Sequence, residues 1–104
     1  VNSQLKQRLA SPSDLVDLAA FEANLRTLAD HCKKAGCGFR PHAKTHKCPT
    51  IAQKQVAAGA VGQCCQKVGE AEALVRGGIR DVLVSNEVVG EQKLRRLAAL
   101  ALDA

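Results

Sequence analysis

The sequence predicts an α/β fold built from three strand–helix units. Three observations predict it: strand and helix patterns alternate three times, their connections are short, and the third strand is almost continuously apolar. Parallel strands joined by crossover helices produce this alternation. An open doubly wound sheet and a (β/α)8 barrel would share the pattern, because three units do not show whether a sheet closes.

A long helix is predicted ahead of these units, over residues 18–35. It follows a polar segment, residues 1–13, which we expect to be loosely ordered, and a short extended piece at residues 14–17. Asp17 suits the N-cap of the helix and Gly36 suits the cap at its carboxyl end. The apolar stripe of the helix consists of Phe21, Leu25, Leu28 and Cys32.

The three units follow from turn and cap signals. Pro49 suits the first turn of the helix predicted at 49–58. Gly77 and Gly78 mark the end of the next helix, predicted at 69–77. The last helix is expected to present Leu94, Leu97 and Ala98 on its apolar face. The predicted strands lie at Gly38–Lys44, 60–65 and 81–85, and the predicted helices at 49–58, 69–77 and 91–102.

The first predicted strand collects polar side chains on one face, where Arg40, His42 and Lys44 alternate with apolar residues. A lysine at the carboxyl end of a buried strand is costly unless something neutralises it, and imine formation with a carbonyl cofactor does so. The cations Arg40, His42 and Lys47 would favour its neutral, nucleophilic form. The alternative is a lysine whose stem packs while its ammonium reaches water.

Composition excludes several classes of function. The net charge of +5 is spread along the chain rather than gathered in a block, so we expect no nucleic-acid partner. No apolar run could cross a bilayer or serve as a signal peptide, and the five cysteines cannot all pair, so we expect a soluble protein in a reducing cytoplasm. The absence of an initiator Met and an end within a helical pattern suggest a piece of a longer protein.

A zinc site is an alternative interpretation of the cysteines and histidines. Its candidate ligands lack the close paired spacing of structural zinc sites, so we expect no metal ligand in this chain. The candidates are Cys32, Cys37, His42, His46 and Cys48.

Three blocks of sequence carry a resemblance to a known family. They are RPHAKTHKCP (40–49), GAVGQCCQKVGEAEAL (59–74) and GGIRDVLVSNEVVG (77–90). In order and spacing they closely resemble the N-terminal region of the D-threonine aldolase and D-serine dehydratase family, which shares its fold with alanine racemase. The resemblance implies that residues 14–104 are the first three βα units of a partial (β/α)8 TIM-like barrel whose remainder is absent.

The resemblance also implies a cofactor and a reaction. Pyridoxal 5'-phosphate would be bound as an imine to Lys44, the first lysine of the PHxKTHK motif. The implied reaction is cleavage of a D-3-hydroxyamino acid to glycine and an aldehyde. The alternatives are a D-serine or 3-hydroxy-D-aspartate dehydratase and a non-catalytic cofactor-binding barrel.

Four further residues are candidates for contacting the cofactor. His42 could orient the cofactor or be satisfied by backbone partners, and Arg40 could support the same layer. Gln66 and Asn86 end their strands where they could contact the ring or substrate, or cap loops. The resemblance places the phosphate-binding residues and the ligands of a divalent metal beyond residue 104, and it allows a homodimer of the full-length protein.

Overall fold

The structure is a computed structural model that describes residues 15–104. The predicted polar segment at 1–13, and Asp14 of the predicted extended piece, lie outside the described residues. Within residues 15–104 the chain forms four helices and two short strands. In chain order these are α1 (Leu18–Ala35), α2 (Pro49–Ala57), β1 (Gln63–Cys65), α3 (Val68–Arg76), β2 (Val82–Val84) and α4 (Glu91–Asp103).

Helix α1 has the bounds that its cap residues predict. The Oδ1 atom of Asp17 accepts a hydrogen bond from the backbone N–H of Ala20 at 3.0 Å. Gly36 ends the helix with φ of 67°, a conformation that glycine adopts without steric cost. Cys32 is the buried residue of the helix, whereas Leu28 is 46% exposed, so the predicted stripe is covered only in part.

The sheet is parallel, as the alternation of strands and helices predicts. β1 and β2 pair with Gln63 opposite Val82 and Cys65 opposite Val84. On the other side of β1, His42 forms a single parallel bridge with Cys64. The spatial order is therefore the segment at His42, then β1, then β2.

The predicted strand at Gly38–Lys44 is wrong as an extended strand. Its backbone follows β1, since the N–H of Cys64 donates to the carbonyl of Pro41 at 2.8 Å and Ala43 N–H donates to Cys64 O at 2.7 Å. Pro41 has no N–H to donate, and a turn closed by the Lys47 N–H on the Ala43 carbonyl begins directly afterwards. The other two strands are shorter than predicted. β1 begins three residues later than the predicted 60–65, and β2 lacks one residue at each end of the predicted 81–85.

One small core joins the helices to the sheet. Partly buried Val82, Val84 and Leu100 pack against it. In α4 it is thus Leu100 that reaches the core, while the predicted contact residue Leu94 is 50% exposed. The core itself consists of Ala43, Ala52, Cys65, Ala71, Leu74 and Ile79.

The two faces of the sheet differ. Core residues from α2 and α3 lie against the face that carries Cys65 and Val84. Leu83, whose side chain points to the opposite face, is 50% exposed. Across residues 15–104, no helix is both long enough and apolar enough to cross a membrane.

Candidate functional site

Lys44 lies in a turn at the carboxyl end of the sheet. The turn spans residues 43–46 and follows the bridge between His42 and Cys64. Ala43 is 2% exposed and anchors the turn in the core, whereas the side chain of Lys44 is exposed. The amine is therefore held at the carboxyl edge by a buried neighbour, as the sequence predicts, but from a turn rather than from a strand.

His42 connects this turn to the ends of both strands. Its Nδ1 atom accepts the backbone N–H of Lys44 at 3.2 Å, so in the neutral ring the proton is on Nε2. Nε2 lies 3.3 Å from Ser85 Oγ, and the Ser85 hydroxyl donates to the carbonyl of Cys65 at 3.2 Å. A continuous chain of hydrogen bonds thus runs from the Lys44 backbone through His42 and Ser85 to the end of β1.

His46 supports the same turn in the same way, four residues later. Its Nδ1 atom accepts the backbone N–H of Cys48 at 3.0 Å. Burial lowers the pKa of His46, which keeps its ring neutral near pH 7 and Nδ1 available as an acceptor. The two histidines therefore fix the backbone on both sides of Lys44.

Lys47 and Glu70 join the turn to the start of α3. Lys47 is in the left-handed region with φ of 48°, which costs a non-glycine residue free energy. Its Nζ atom lies 3.4 Å from Glu70 Oε1. The other carboxylate oxygen, Oε2, accepts the backbone N–H of Gln66 at 2.9 Å and that of Lys67 at 3.3 Å.

The surroundings of Glu70 stabilise its charged form. The Gln66 N–H contributes most to lowering the pKa of Glu70, and the Lys67 N–H and the Lys47 ammonium act in the same direction. A negative charge in the first turn of α3 also interacts favourably with the helix dipole. Glu70 therefore holds three groups at the carboxyl edge of the sheet while 13% of its side chain remains exposed.

Lys44 and Lys47 differ in their side-chain contacts. The Nζ atom of Lys47 forms a salt bridge with the carboxylate of Glu70. Lys44 forms no salt bridge and no side-chain hydrogen bond with any residue in 15–104. Of the two amines, only that of Lys44 has no carboxylate partner within residues 15–104.

Arg40 lies at the other end of the sheet from Lys44. Its Nη1 atom donates to Asp81 Oδ1 at 2.8 Å and to the carbonyls of Gln63 and Asp81, both at 3.3 Å. These partners precede or begin the strands, so the predicted support of the Lys44 layer by Arg40 finds no direct contact here. The predicted cationic surroundings of Lys44 are also weaker than expected, because Arg40 and Lys47 are both paired with carboxylates.

Gln66 and Asn86 are brought together at a cleft of about 470 Å³. The cleft lies beside the strand ends, and Lys44 and His42 are not among the residues that line it. Its lining is mixed in charge, and the charged residues are Lys47, Lys67, Glu70, Glu87, Lys93 and Arg96. Four of the five predicted site residues therefore lie near the carboxyl ends of the strands, His42 with Lys44 and Gln66 with Asn86, while Arg40 lies apart.

Two residues with contacts at this site, Glu70 and Ser85, have no role in the sequence-based prediction. Glu70 had a detectable signal, since a glutamate three residues after the helix N-cap commonly accepts backbone N–H groups there. Ser85 had none, because its contact with His42 depends on the register between strands that are 43 residues apart. The sequence analysis placed Asn86, the next residue, at the end of the third strand but predicted no partner for Ser85.

The thiol of Cys65 in β1 does not provide a nucleophile. Burial raises the pKa of Cys65 to about 11, so this thiol stays protonated near pH 7. In the part of the chain that the structure describes, no three His, Cys, Asp or Glu residues cluster closely enough to hold a metal ion.

A test of the Glu70 contacts is available from pH dependence. Because the pKa of Glu70 is lowered by folding, its stabilisation is present above the unfolded-state value near 4.5 and is lost as the pH falls through the folded-state value. Glu70→Gln, which resembles protonated Glu70, should lower the free energy of unfolding of the full-length protein by about 1 kcal/mol at pH 7.

Urea unfolding at a series of pH values measures this difference. The gap between the native protein and Glu70→Gln should close as the pH falls from 4.5 through the lower folded-state pKa of Glu70. The exposed Glu87, in the neighbouring loop, provides the control Glu87→Gln, which should leave stability unchanged at every pH. A gap for Glu70→Gln that stays constant with pH would contradict the charge-based account.

Comparison with known proteins adds a family and several relatives. The family model described as alanine racemase, N-terminal domain, matches residues 16–104. A D-threonine aldolase of Arthrobacter sp is 53% identical over 94 residues, covering 90% of this chain and 25% of that protein. A 3-hydroxy-D-aspartate aldolase of Paracoccus denitrificans is 46% identical over 96 residues, covering 91% of this chain and 25% of that protein.

A solved structure agrees with these relatives. The crystal structure of D-threonine aldolase from Filomicrobium marinum superposes with a TM-score of 0.88 at 60% sequence identity. The match covers 90% of this chain and 26% of that one. The chain thus spans about a quarter of the length of the curated relatives it matches.

Proposed function

This chain belongs to the family of alanine racemase N-terminal domains, and on that premise we propose that it is the cofactor-binding part of a lyase of the D-threonine aldolase type. The whole protein would use pyridoxal 5'-phosphate to cleave a D-3-hydroxyamino acid into glycine and an aldehyde. Two aldolases that match over most of this chain support this assignment. The observation that carries it within the chain is the unpaired amine of Lys44 at the carboxyl edge of the sheet.

We further propose that the three strand segments are the first part of the wall of a (β/α)8 barrel. The layer of α2 and α3 on one face, with Leu83 half exposed on the other, supports this arrangement. Barrel walls carry their helices on the outer face only, whereas doubly wound sheets carry helices on both. His42, Cys64 and Leu83 lie side by side in register, and in a closed barrel this row would line the interior.

The residues at the turn fit an aldehyde cofactor. Covalent attachment needs an amine that a ligand can reach and that no ion pair holds, and the exposed side chain of Lys44 forms no salt bridge within residues 15–104. When bound, pyridoxal phosphate supplies an electron sink for charge that develops on the substrate. Lys44 Nζ would hold the aldehyde carbon, and His42 would hold the backbone from which Lys44 projects.

Proton handling in this part of the protein would fall to Lys44. Its amine has no salt-bridge or hydrogen-bond partner within residues 15–104 that proton transfer would displace. His42 is poorly placed for this, because its Nδ1 and Nε2 are both engaged. Gln66 and Asn86 could orient polar groups of cofactor or substrate from the adjoining cleft without transferring protons.

Incubation of the full-length protein with D-threonine and pyridoxal phosphate tests the reaction. The proposal predicts glycine and acetaldehyde in equal amounts, detected by amino-acid analysis and by an aldehyde assay. Ammonia with a keto acid would instead identify a dehydratase. A protein that takes up the cofactor and turns nothing over would be a non-catalytic binding protein.

Ser85 should affect the rate through His42. Ser85→Ala removes the acceptor of the His42 Nε2–H, which is worth about 1 kcal/mol, so kcat/KM of the full-length enzyme should fall about fivefold. Ser85→Thr retains the hydroxyl and should recover most of the activity.

Steady-state kinetics beside thermal unfolding separates positioning from a general loss of stability. A positioning role predicts that kcat/KM falls for Ser85→Ala at a temperature well below its unfolding midpoint. Native kinetics in Ser85→Ala, or equal losses in Ser85→Ala and Ser85→Thr, would exclude that role for the hydroxyl.

A further inference from the structure

The end of α1 brings two cysteines together. The N–H of Gly36 donates to Lys33 O at 3.2 Å, and the N–H of Cys37 donates to Cys32 O at 3.0 Å. This pair of bonds around a left-handed glycine is the Schellman motif, in which the side chain two residues after the helix contacts the side chain four residues before the glycine. Cys32 and Cys37 occupy those two positions.

The two thiols share a cavity but differ in access. Both line a cavity of about 350 Å³ beside Lys33 and Phe39. Cys32 is 8% exposed, whereas Cys37 is exposed. Burial raises the pKa of the Cys32 thiol, and the nearby Cys37 thiol acts in the same direction. An external reagent would therefore reach Cys37 first and find Cys32 next to it.

The other cysteines are arranged differently. Cys64 and Cys65 are buried and adjacent in β1, so their side chains point to opposite faces of the sheet. Cys48 is the N-cap of α2 and lies in the segment that supports Lys44. Among the five cysteines, only Cys32 and Cys37 combine an exposed thiol with a shielded thiol that lines the same cavity.

We propose that Cys32 and Cys37 are a thiol pair that forms a reversible disulfide by exchange with a low-molecular-weight disulfide such as oxidised glutathione. The Cys37 thiolate attacks one sulfur of the reagent, forms a mixed disulfide and releases one glutathione thiolate. The Cys32 thiolate then attacks the Cys37 sulfur and releases the second glutathione. Two cysteine protons are lost, and two electrons pass from the protein to the reagent.

This modification is independent of the function proposed for Lys44. The pair lies at the carboxyl end of α1 and contributes no residue to the turn at 43–46 or to the cleft at Gln66 and Asn86. Its formation requires neither cofactor nor substrate. A negative aldolase assay would therefore not contradict the disulfide proposal. Absence of the disulfide would not contradict the proposed aldolase function.

Peptide mapping of the folded full-length protein tests the proposal. The protein is treated with oxidised glutathione, alkylated with iodoacetamide under native conditions and again after unfolding, and digested with trypsin. Cleavage after Arg26, Lys33 and Lys34, but not between Arg40 and Pro41, puts the two cysteines on separate peptides. We expect peptides 27–33 and 35–44 to be joined, and a reductant to separate them.

Single variants separate the two steps. In Cys32→Ser the exchange should stop with one glutathione on Cys37, and in Cys37→Ser the shielded Cys32 should remain unmodified. Cys48→Ser serves as the control and should still give the joined peptides. The proposal is overturned if the native protein gives no joined peptides, keeps glutathione on Cys37 as its end product, or links Cys37 to a cysteine other than Cys32.

Discussion

Replacing Lys44 with alanine in the full-length protein is expected to abolish covalent binding of pyridoxal phosphate and to lower kcat/KM by about 10³-fold, as loss of a positioned proton-transfer group does. The variant removes the one amine of the turn that has no partner within residues 15–104. Loss of the visible absorbance of the bound cofactor, together with steady-state kinetics, measures both effects.

Two further variants serve as controls for Lys44. Lys44→Arg keeps the positive charge but cannot bond covalently to an aldehyde, so it should behave like Lys44→Ala. Lys47→Ala breaks the pair with Glu70 but leaves the Lys44 amine in place, so the absorbance of the bound cofactor should persist. Loss of that absorbance in Lys47→Ala, with native absorbance in Lys44→Ala, would show that the cofactor is attached to Lys47 and not to Lys44.

The largest effect on stability is expected from Gly62→Ala. Gly62 is buried directly before β1, and an added Cβ would overlap the carbonyl oxygen of Asp81 and crowd the guanidinium of Arg40. That carbonyl already accepts hydrogen bonds from Gln63 N–H and from Arg40, so it cannot retreat without breaking them. We expect a loss of about 3 kcal/mol or more in the free energy of unfolding, the upper range for overpacking.

Gly69→Ala is the matched control for Gly62→Ala. Gly69 lies in the first turn of α3, where an added Cβ would meet no atom closer than 4.0 Å. Replacing a helical glycine with alanine should therefore raise the free energy of unfolding by about 0.5–1 kcal/mol. Urea unfolding of the two variants should move the midpoint in opposite directions, and a neutral Gly62→Ala would show that the strand ends are less tightly packed than described.

The helices could be predicted closely because their signals are local. Asp17 and Gly36 fix the ends of α1 through hydrogen bonds to residues three to four positions away, and Pro49 marks the start of α2. The strand near Lys44 could not be predicted in the same way. Its length depends on hydrogen bonds to β1, and Pro41 together with the turn at Ala43 limits those bonds.

In the candidate site, too, the features with local sequence signals could be predicted and the contacts between distant segments could not. Lys44 could be singled out from its motif, whereas the chain of hydrogen bonds through His42 to Ser85 depends on how distant strands are aligned. Arg40 shows the limit of reasoning from alternation alone. Alternation groups it with His42 and Lys44, but its guanidinium pairs with Asp81 at the amino end of the sheet.

The claim that Lys44 carries the cofactor can be tested most directly by chemical trapping. The full-length protein is loaded with pyridoxal phosphate, reduced with borohydride, digested and mapped by mass spectrometry. We predict a stable pyridoxyl phosphate group on Lys44 and a missed tryptic cleavage after that residue. A fully cleaved, unmodified Lys44 with the group on Lys47 or on any other lysine would contradict the assignment.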